Sequence, residues 1–194
     1  MSSFKDVVGH KNIIKYISSA VQADAVSHAY ILNGERGSGK RLLANLFAMS
    51  LQCQNRAEDG EACGKCQSCK QAQSGNQPDI IKVTHEKPNT ISVDDIRTQV
   101  NNDIVIKPYS SKYKIYIIPE ADLMSAQAQN ALLKTIEEPP EYARFILECD
   151  SSAAMLETIM SRVTLFDLGA DNDEISDELR KKADDTAAKL ASAI

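Results

Sequence analysis

The chain has 194 residues, 43% of them hydrophobic and 25% charged, with a formal net charge of −5. That composition gives room for one full core and the beginning of a second, and it excludes a fibrous, collagen-like or disordered protein. Net acidity also argues against a chain that is the main holder of DNA, because neutralising phosphates takes clustered Lys and Arg.

The opening residues, Met1-Ser2-Ser3-Phe4-Lys5-Asp6, lack a basic-then-apolar signal segment. No apolar run approaches the ~20 residues that cross a membrane, so the expected home is a reducing cytoplasm. Ile13, Ile14, Ile17 and Val21 recur at helical spacing and predict an opening helix. Ala29-Tyr30-Ile31-Leu32-Asn33 reads as a buried strand and Leu42 to Gln52 as a helix; between them stands Gly34-Glu35-Arg36-Gly37-Ser38-Gly39-Lys40. Strand, glycine-rich loop and helix in that order make a phosphate-binding P-loop, with Gly34, Gly37, Gly39 and Lys40 as the candidate nucleotide-binding residues. In the full pattern a Ser or Thr hydroxyl follows the Lys and holds Mg²⁺. Here Arg41 follows it, and a guanidinium cannot coordinate a cation.

Next come Cys53, Cys63, Cys66 and Cys69 in a hydrophilic, Gly-containing insertion over about 53–75. Pairs two residues apart let both thiolates reach one tetrahedral ion, and four thiolates close the site, so the expectation is a structural Zn²⁺. Free thiols or a redox Cys-x-x-Cys pair are the alternatives. Asn55 to Gly64 has too few apolar residues to fold unaided, so the metal is expected to supply its core. Cys149 stands apart at the end of an apolar run and reads as a small core residue.

Further strands are expected at Ile80 to Thr84, Lys114 to Ile118, Arg144 to Glu148 and Thr164 to Leu168. Helical stretches separate them, which predicts an α/β fold with a parallel five-stranded sheet flanked by helices. An ATPase strand should end in Asp-Glu, the Asp ordering Mg²⁺; Lys114–Ile118 ends in Pro119-Glu120, with Asp122 on the expected next helix. Two magnesium hooks are thus missing, and ATP with Mg²⁺ is not expected to be hydrolysed unless Glu120 or Asp122 substitutes. In that helix Leu123, Ala126, Asn130, Leu133 and Ile136 fall near one face before Pro139-Pro140 stops it. Lys107, Lys112 and Lys114 are either a contributory basic patch or a solvated face. The composition shifts after Gly169, where an acidic Asp171-Asn172-Asp173-Glu174 stretch precedes a charged, Ala-rich helix over Ile175 to Leu190.

These residues resemble the δ′ subunits of the bacterial DNA polymerase III clamp loader, members of the AAA+ group. The resemblance runs from Val7-Val8-Gly9-His10 to Ser161-Arg162 and rests on Ser27-His28-Ala29-Tyr30, the four-cysteine insertion and Gln129-Asn130-Ala131-Leu132-Leu133-Lys134-Thr135-Ile136-Glu137-Glu138-Pro139-Pro140. It also resembles the γ/τ motor subunits, which share the zinc module but keep the hydroxyl and the Asp-Glu pair. The resemblance implies an AAA+ domain over 1–168 and the start of a helical lid domain over 169–194. It makes Arg162 an arginine finger acting in trans on a neighbouring γ/τ ATP site. The implied partners are γ/τ and δ subunits, with the sliding clamp and primed DNA reached through the complex. The family's carboxy-terminal collar is not found in these 194 residues, so assembly by this piece alone is expected to be weak. It also places Cys149-Asp150 where a γ-phosphate-sensing Thr is expected. Two alternatives stay open: an active motor subunit, and a zinc-dependent nucleic-acid-binding module whose P-loop is merely structural.

Overall fold

The computed structural model describes residues 3–7 and 9–169; the acidic stretch and the helix expected beyond Gly169 lie outside the described residues. Helix α1 (Lys11–Gln22) buries Ile13, Tyr16, Ile17 and Val21 as its spacing predicts. Strand β1 (Ala29–Asn33) leads through the P-loop into α2 (Lys40–Gln52), and the insertion ends in a short helix, α3 (Gln67–Gln73). Then follow β2 (Ile80–Lys82), α4 (Val93–Ile96), β3 (Lys114–Ile118), α5 (Ala126–Glu137), β4 (Ala143–Cys149), α6 (Glu157–Met160) and β5 (Thr164–Asp167).

All strand pairs are parallel, in the order β2-β3-β4-β1-β5. Period-2 alternation splits each strand between two cores. Tyr30 and Leu32 join α1 and α2 on one side, while Ala29 and Ile31 join α5 on the other. A sheet buried on both faces needs apolar residues at every position, which is why β1 and β3 read as unbroken apolar runs. Aromatic contacts lock both layers: Tyr30 meets Phe47 edge-on at 5.0 Å and stacks on Phe166 at 5.5 Å, and Tyr116 stacks on Phe145 at 5.4 Å.

Several expectations are corrected. Strand β2 stops at Lys82 rather than Thr84. Helix α5 starts at Ala126, capped by the Ser125 hydroxyl, so Leu123 and Asp122 sit in a preceding tight turn, Ala121–Leu123. Its buried stripe is Ala128, Leu132 and Ile136; Asn130 instead turns outward and bonds the Ala126 carbonyl. Helix α4 and its wide-turn continuation, Arg97–Asn101, were not expected. Lys114 belongs to no surface patch: it is buried, 2.7 Å from Asp103 Oδ2, and donates to the Asp103 and Ile106 carbonyls.

The long connection into β3 is held by a buried carboxylate. Asp79, 1% exposed, accepts from the Tyr109 N–H at 2.5 Å and the Ser110 N–H at 2.8 Å. The Gln52 amide ties the carbonyls of Asp79 and Tyr113 to α2. Asp79→Ala would strand those donors, so we expect a loss of about 2–3 kcal/mol and a melting temperature lower by roughly 5–10 °C, measured by calorimetry.

Candidate functional site

The carboxyl ends of β1, β3 and β4 converge on a cleft of about 480 Å³ lined by Arg36, Gly37, Gly39, Lys40, Arg41, Glu120, Glu148 and Asp150. In open parallel sheets this edge, beyond the strand ends, is where ligands are bound. The P-loop glycines are there for backbone reasons. Gly37 and Gly39 have φ of +88° and +87°, in the left-handed region that side chains disfavour. A Cβ on Gly34 would stand 2.8 Å from Ser38 Oγ and 3.1 Å from the Leu168 carbonyl. The loop is closed from the amino-terminal side by His10, whose Nε2 donates to the Ser38 carbonyl at 3.1 Å.

Lys40 is 11% exposed and turned back on the protein. Its ammonium donates to the Gly34 and Glu35 carbonyls at 2.6 and 3.2 Å and to Asp150 Oδ1 at 2.5 Å. Arg36 Nε lies 3.4 Å from Asp150 Oδ2 and its NH2 3.9 Å from Glu120 Oε1. Glu120, with φ of +51°, also faces His85 at 3.4 Å. Of the two carboxylates that could replace the missing metal ligand, Glu120 alone lines the cleft. Asp122 turns inward beside Cys149, with Oδ1 buried and without a hydrogen-bond partner. Arg41 opens α2 at the cleft wall in the hydroxyl's place. Glu148, 3% exposed, has its carboxyl pushed up by burial, against the pull of Arg41 and Lys40. At the two positions where a Mg²⁺ ligand is expected stand a guanidinium, Arg41, and a proline, Pro119, neither of which can supply one; the carboxylates lining the cleft are Glu120, Glu148 and Asp150. Sequence reasoning marked the position of Asp150 but not its bond to Lys40, because 110 residues separate the pair.

The four cysteines do come together. Their sulfurs all lie within 4.8 Å of one another, Cys53 and Cys66 at 4.0 Å. An ion at about 2.3 Å from each sulfur would space them about 3.8 Å apart, so the cluster fits a tetrahedral metal. Backbone N–H groups of Cys63, Cys66 and Cys69 point at Cys53, Cys63 and Cys66 sulfurs at 3.2–3.4 Å. Burial raises the Cys66 thiol, but the Cys69 and Gln54 N–H groups and the neighbouring thiols outweigh it and bring it down to about 6, and the Lys65 and Cys66 N–H groups lower Cys63, whereas burial pushes Cys53 and Cys69 up. The insertion is stapled to α1: Arg56 donates to the Val21 carbonyl at 2.8 Å, Gln22 bonds the Glu58 carbonyl, and a Cβ on Gly60 would meet Ser18 O at 2.7 Å. Cys149 lies apart, fully buried, its thiol pushed up to about 12 by burial.

Arg162 follows α6 and is half-exposed. It donates to the Thr158 carbonyl at 2.8 Å and pairs with Glu137 at 3.0 Å. Thr164 is in register with Tyr30, so Arg162 precedes that register by two residues while Gly34 follows it by four. Six residues along parallel strands is about 20 Å. Arg162 therefore sits at the opposite end of the sheet from its own P-loop.

The profile of a family described as DNA polymerase III, delta subunit, matches residues 9–172. The chain belongs to this family. Among relatives of this DNA polymerase III family member, the tau/gamma subunit of Haemophilus influenzae is 37% identical over 178 residues, covering 91% of this chain and 25% of the relative. The Bacillus subtilis tau subunit is 39% identical over 164 residues, covering 84% and 28%. The chain thus spans about a quarter of the length of these relatives. Among solved structures, a DNA polymerase III gamma subunit-related protein of Thermotoga maritima is 25% identical with a TM-score of 0.57, covering 84% of this chain and 46% of that one. The RuvB branch migration motor of the same organism, at 18% identity and a TM-score of 0.54 over 99% of this chain and 54% of that one, shares the fold. The AAA+ P-loop architecture expected from the sequence is the one this family member adopts. Among the described residues, no helix is long and apolar enough to cross a membrane.

Lys40 holds the Asp150 carboxyl below the ordinary carboxylate range, against burial that raises it, with Arg36 adding to the lowering. A depressed folded value means stability present above the unfolded value of about 3.9 and lost as pH falls through the folded one. In denaturant titrations, the stability difference between wild type and Asp150→Asn is therefore expected to be constant near neutrality and to shrink below about pH 4. A difference independent of pH would contradict the pairing.

Proposed function

We propose that this chain is the amino-terminal part of a δ′-like clamp-loader subunit of a bacterial cytoplasm. In this reading it does not hydrolyse ATP but lends Arg162 to a neighbouring γ/τ motor. It helps the assembled ring, with δ, place a sliding clamp on primed DNA. The observation that carries the reading is the loss of both magnesium-holding positions on one edge, to Arg41 and Pro119. Without a cation there, little offsets the charge that phosphoryl transfer develops.

Arg162 is suited to a task in trans. It lies too far from its own P-loop to serve it, and its guanidinium is permanently charged and planar, able to meet a γ-phosphate without gaining a proton. The Glu137 pair and the Thr158 carbonyl hold it near the sheet edge in one orientation. Lys112 adds little to any DNA contact, since it is tied to Asp24. In the insertion we assign Zn²⁺ to the four cysteines; when bound it supplies a rigid cross-link that the segment's few apolar residues cannot. The second reading, an active γ/τ-like motor, is favoured by the relatives' names and by Glu120 lining the cleft.

In a reconstituted clamp loader whose other motor sites are disabled, Arg162→Ala should slow single-turnover ATP hydrolysis at the adjoining subunit by roughly 10³-fold while leaving this chain's melting temperature unchanged. An unchanged rate would remove the finger. Metal analysis should find stoichiometric zinc that Cys66→Ser fails to retain, with a lower melting temperature; full stability without zinc would sink the structural assignment.

A further inference from the structure

A lysine ammonium has three N–H donors and no more. In this chain the Lys40 donors go to Gly34 O at 2.6 Å, Glu35 O at 3.2 Å and Asp150 Oδ1 at 2.5 Å. None is left to reach a β or γ phosphate. The second oxygen of Asp150 faces Arg36 Nε at 3.4 Å, so one carboxylate spans the loop's two cations as two phosphate oxygens would.

The carboxylate is delivered to this place by the backbone. Gly34 N donates to the Cys149 carbonyl at 3.0 Å, and Ser152 N donates to Asn33 Oδ1 at 2.7 Å. Cys149 and Ser152, on either side of Asp150, are thus tied to the first residue of the P-loop and the last of β1. The other carboxylates of the cleft do not play this part: Glu120 turns to Arg36 and His85, and Glu148 is buried in the wall.

We propose that Asp150 is an internal substitute for phosphate that holds Lys40 and keeps the P-loop closed to nucleoside di- and triphosphates and to inorganic phosphate. The proposal rests on the reading that the chain does not turn ATP over, and it says what keeps the cradle from serving as a simple nucleotide store. An incoming phosphate must displace a carboxylate already charge-paired and positioned at no entropic cost. Neutralising that carboxylate removes the competing charge and leaves Lys40 with a weaker, uncharged acceptor that a phosphate can displace.

The test is titration calorimetry of the full chain with ATP in Mg²⁺-free buffer without chelator, so that any bound zinc stays in place. Asp150→Asn, and the shorter Asp150→Ser should the first fail to fold, are expected to bind ATP about tenfold or more tightly than wild type, a difference worth about 1.4 kcal/mol. The gain should vanish in Asp150→Asn with Lys40→Ala. A folded variant with no gain, or a gain that survives loss of Lys40, overturns the proposal. A phosphate-release assay on wild type keeps the two ideas apart. Release with Mg²⁺ present would overturn the non-hydrolysing reading whatever the variants do, whereas no release and no gain would overturn the Asp150 proposal alone.

Discussion

The charge balance at the carboxyl edge of the sheet governs this molecule. Parallel strands bring all their carboxyl ends to one side, so β1, β3 and β4 necessarily place the P-loop, Glu120 and Asp150 around a common cleft. In a working nucleotide site a metal ion and phosphates would set the balance there. Here side chains settle it internally: Lys40 and Arg36 meet Asp150, and Glu120 meets Arg36 and His85. The cradle keeps its left-handed glycines and its lysine, yet Lys40 and Arg36 already have partners.

The remaining features fit a subunit that acts through its surfaces. Burying both faces of the sheet gives a stiff body, which suits the fixed place in a ring that we propose for it. Arg162 stands at the far end of the sheet from the P-loop, so whatever it touches must belong to another chain or to this chain's own surface. The cysteine insertion is bound to α1 by Arg56, Gln22 and the close approach of Gly60, and Cys53 and Cys69 extend the core beside α2. Where apolar residues run out, four cysteines placed to hold a metal stand in the middle of the segment.

Much of this was legible from residue patterns, for physical reasons. The apolar runs of β1 and β3 and the glycine spacing of the P-loop are local signals, and each element lies where they place it. Spacing also brought the four cysteines together correctly. The buried stripe of α5 was misplaced because Leu123 precedes the Ser125 cap, and periodicity alone cannot see where a helix begins. Helix α4 escaped notice because it is brief and relies on a Ser92–Asp95 capping box, not on an apolar stripe. Long-range polar pairs were beyond reach: nothing near Lys114 announces Asp103 or the Ile106 carbonyl as its partners, and nothing near Lys40 announces Asp150. The Lys40 pair is set by the register of β1 against β4, and the Lys114 pairs by the fold of the connection that precedes β3; neither is visible before the chain is assembled.

We infer that this P-loop no longer runs phosphoryl transfer. The most direct measurement is titration calorimetry of the isolated chain with ATP and Mg²⁺, coupled to phosphate release on the same sample. We expect no Mg²⁺-dependent binding and no release above the uncatalysed background. Tight Mg²⁺-dependent binding with steady release, abolished by Lys40→Ala, would contradict it and make the chain a motor subunit.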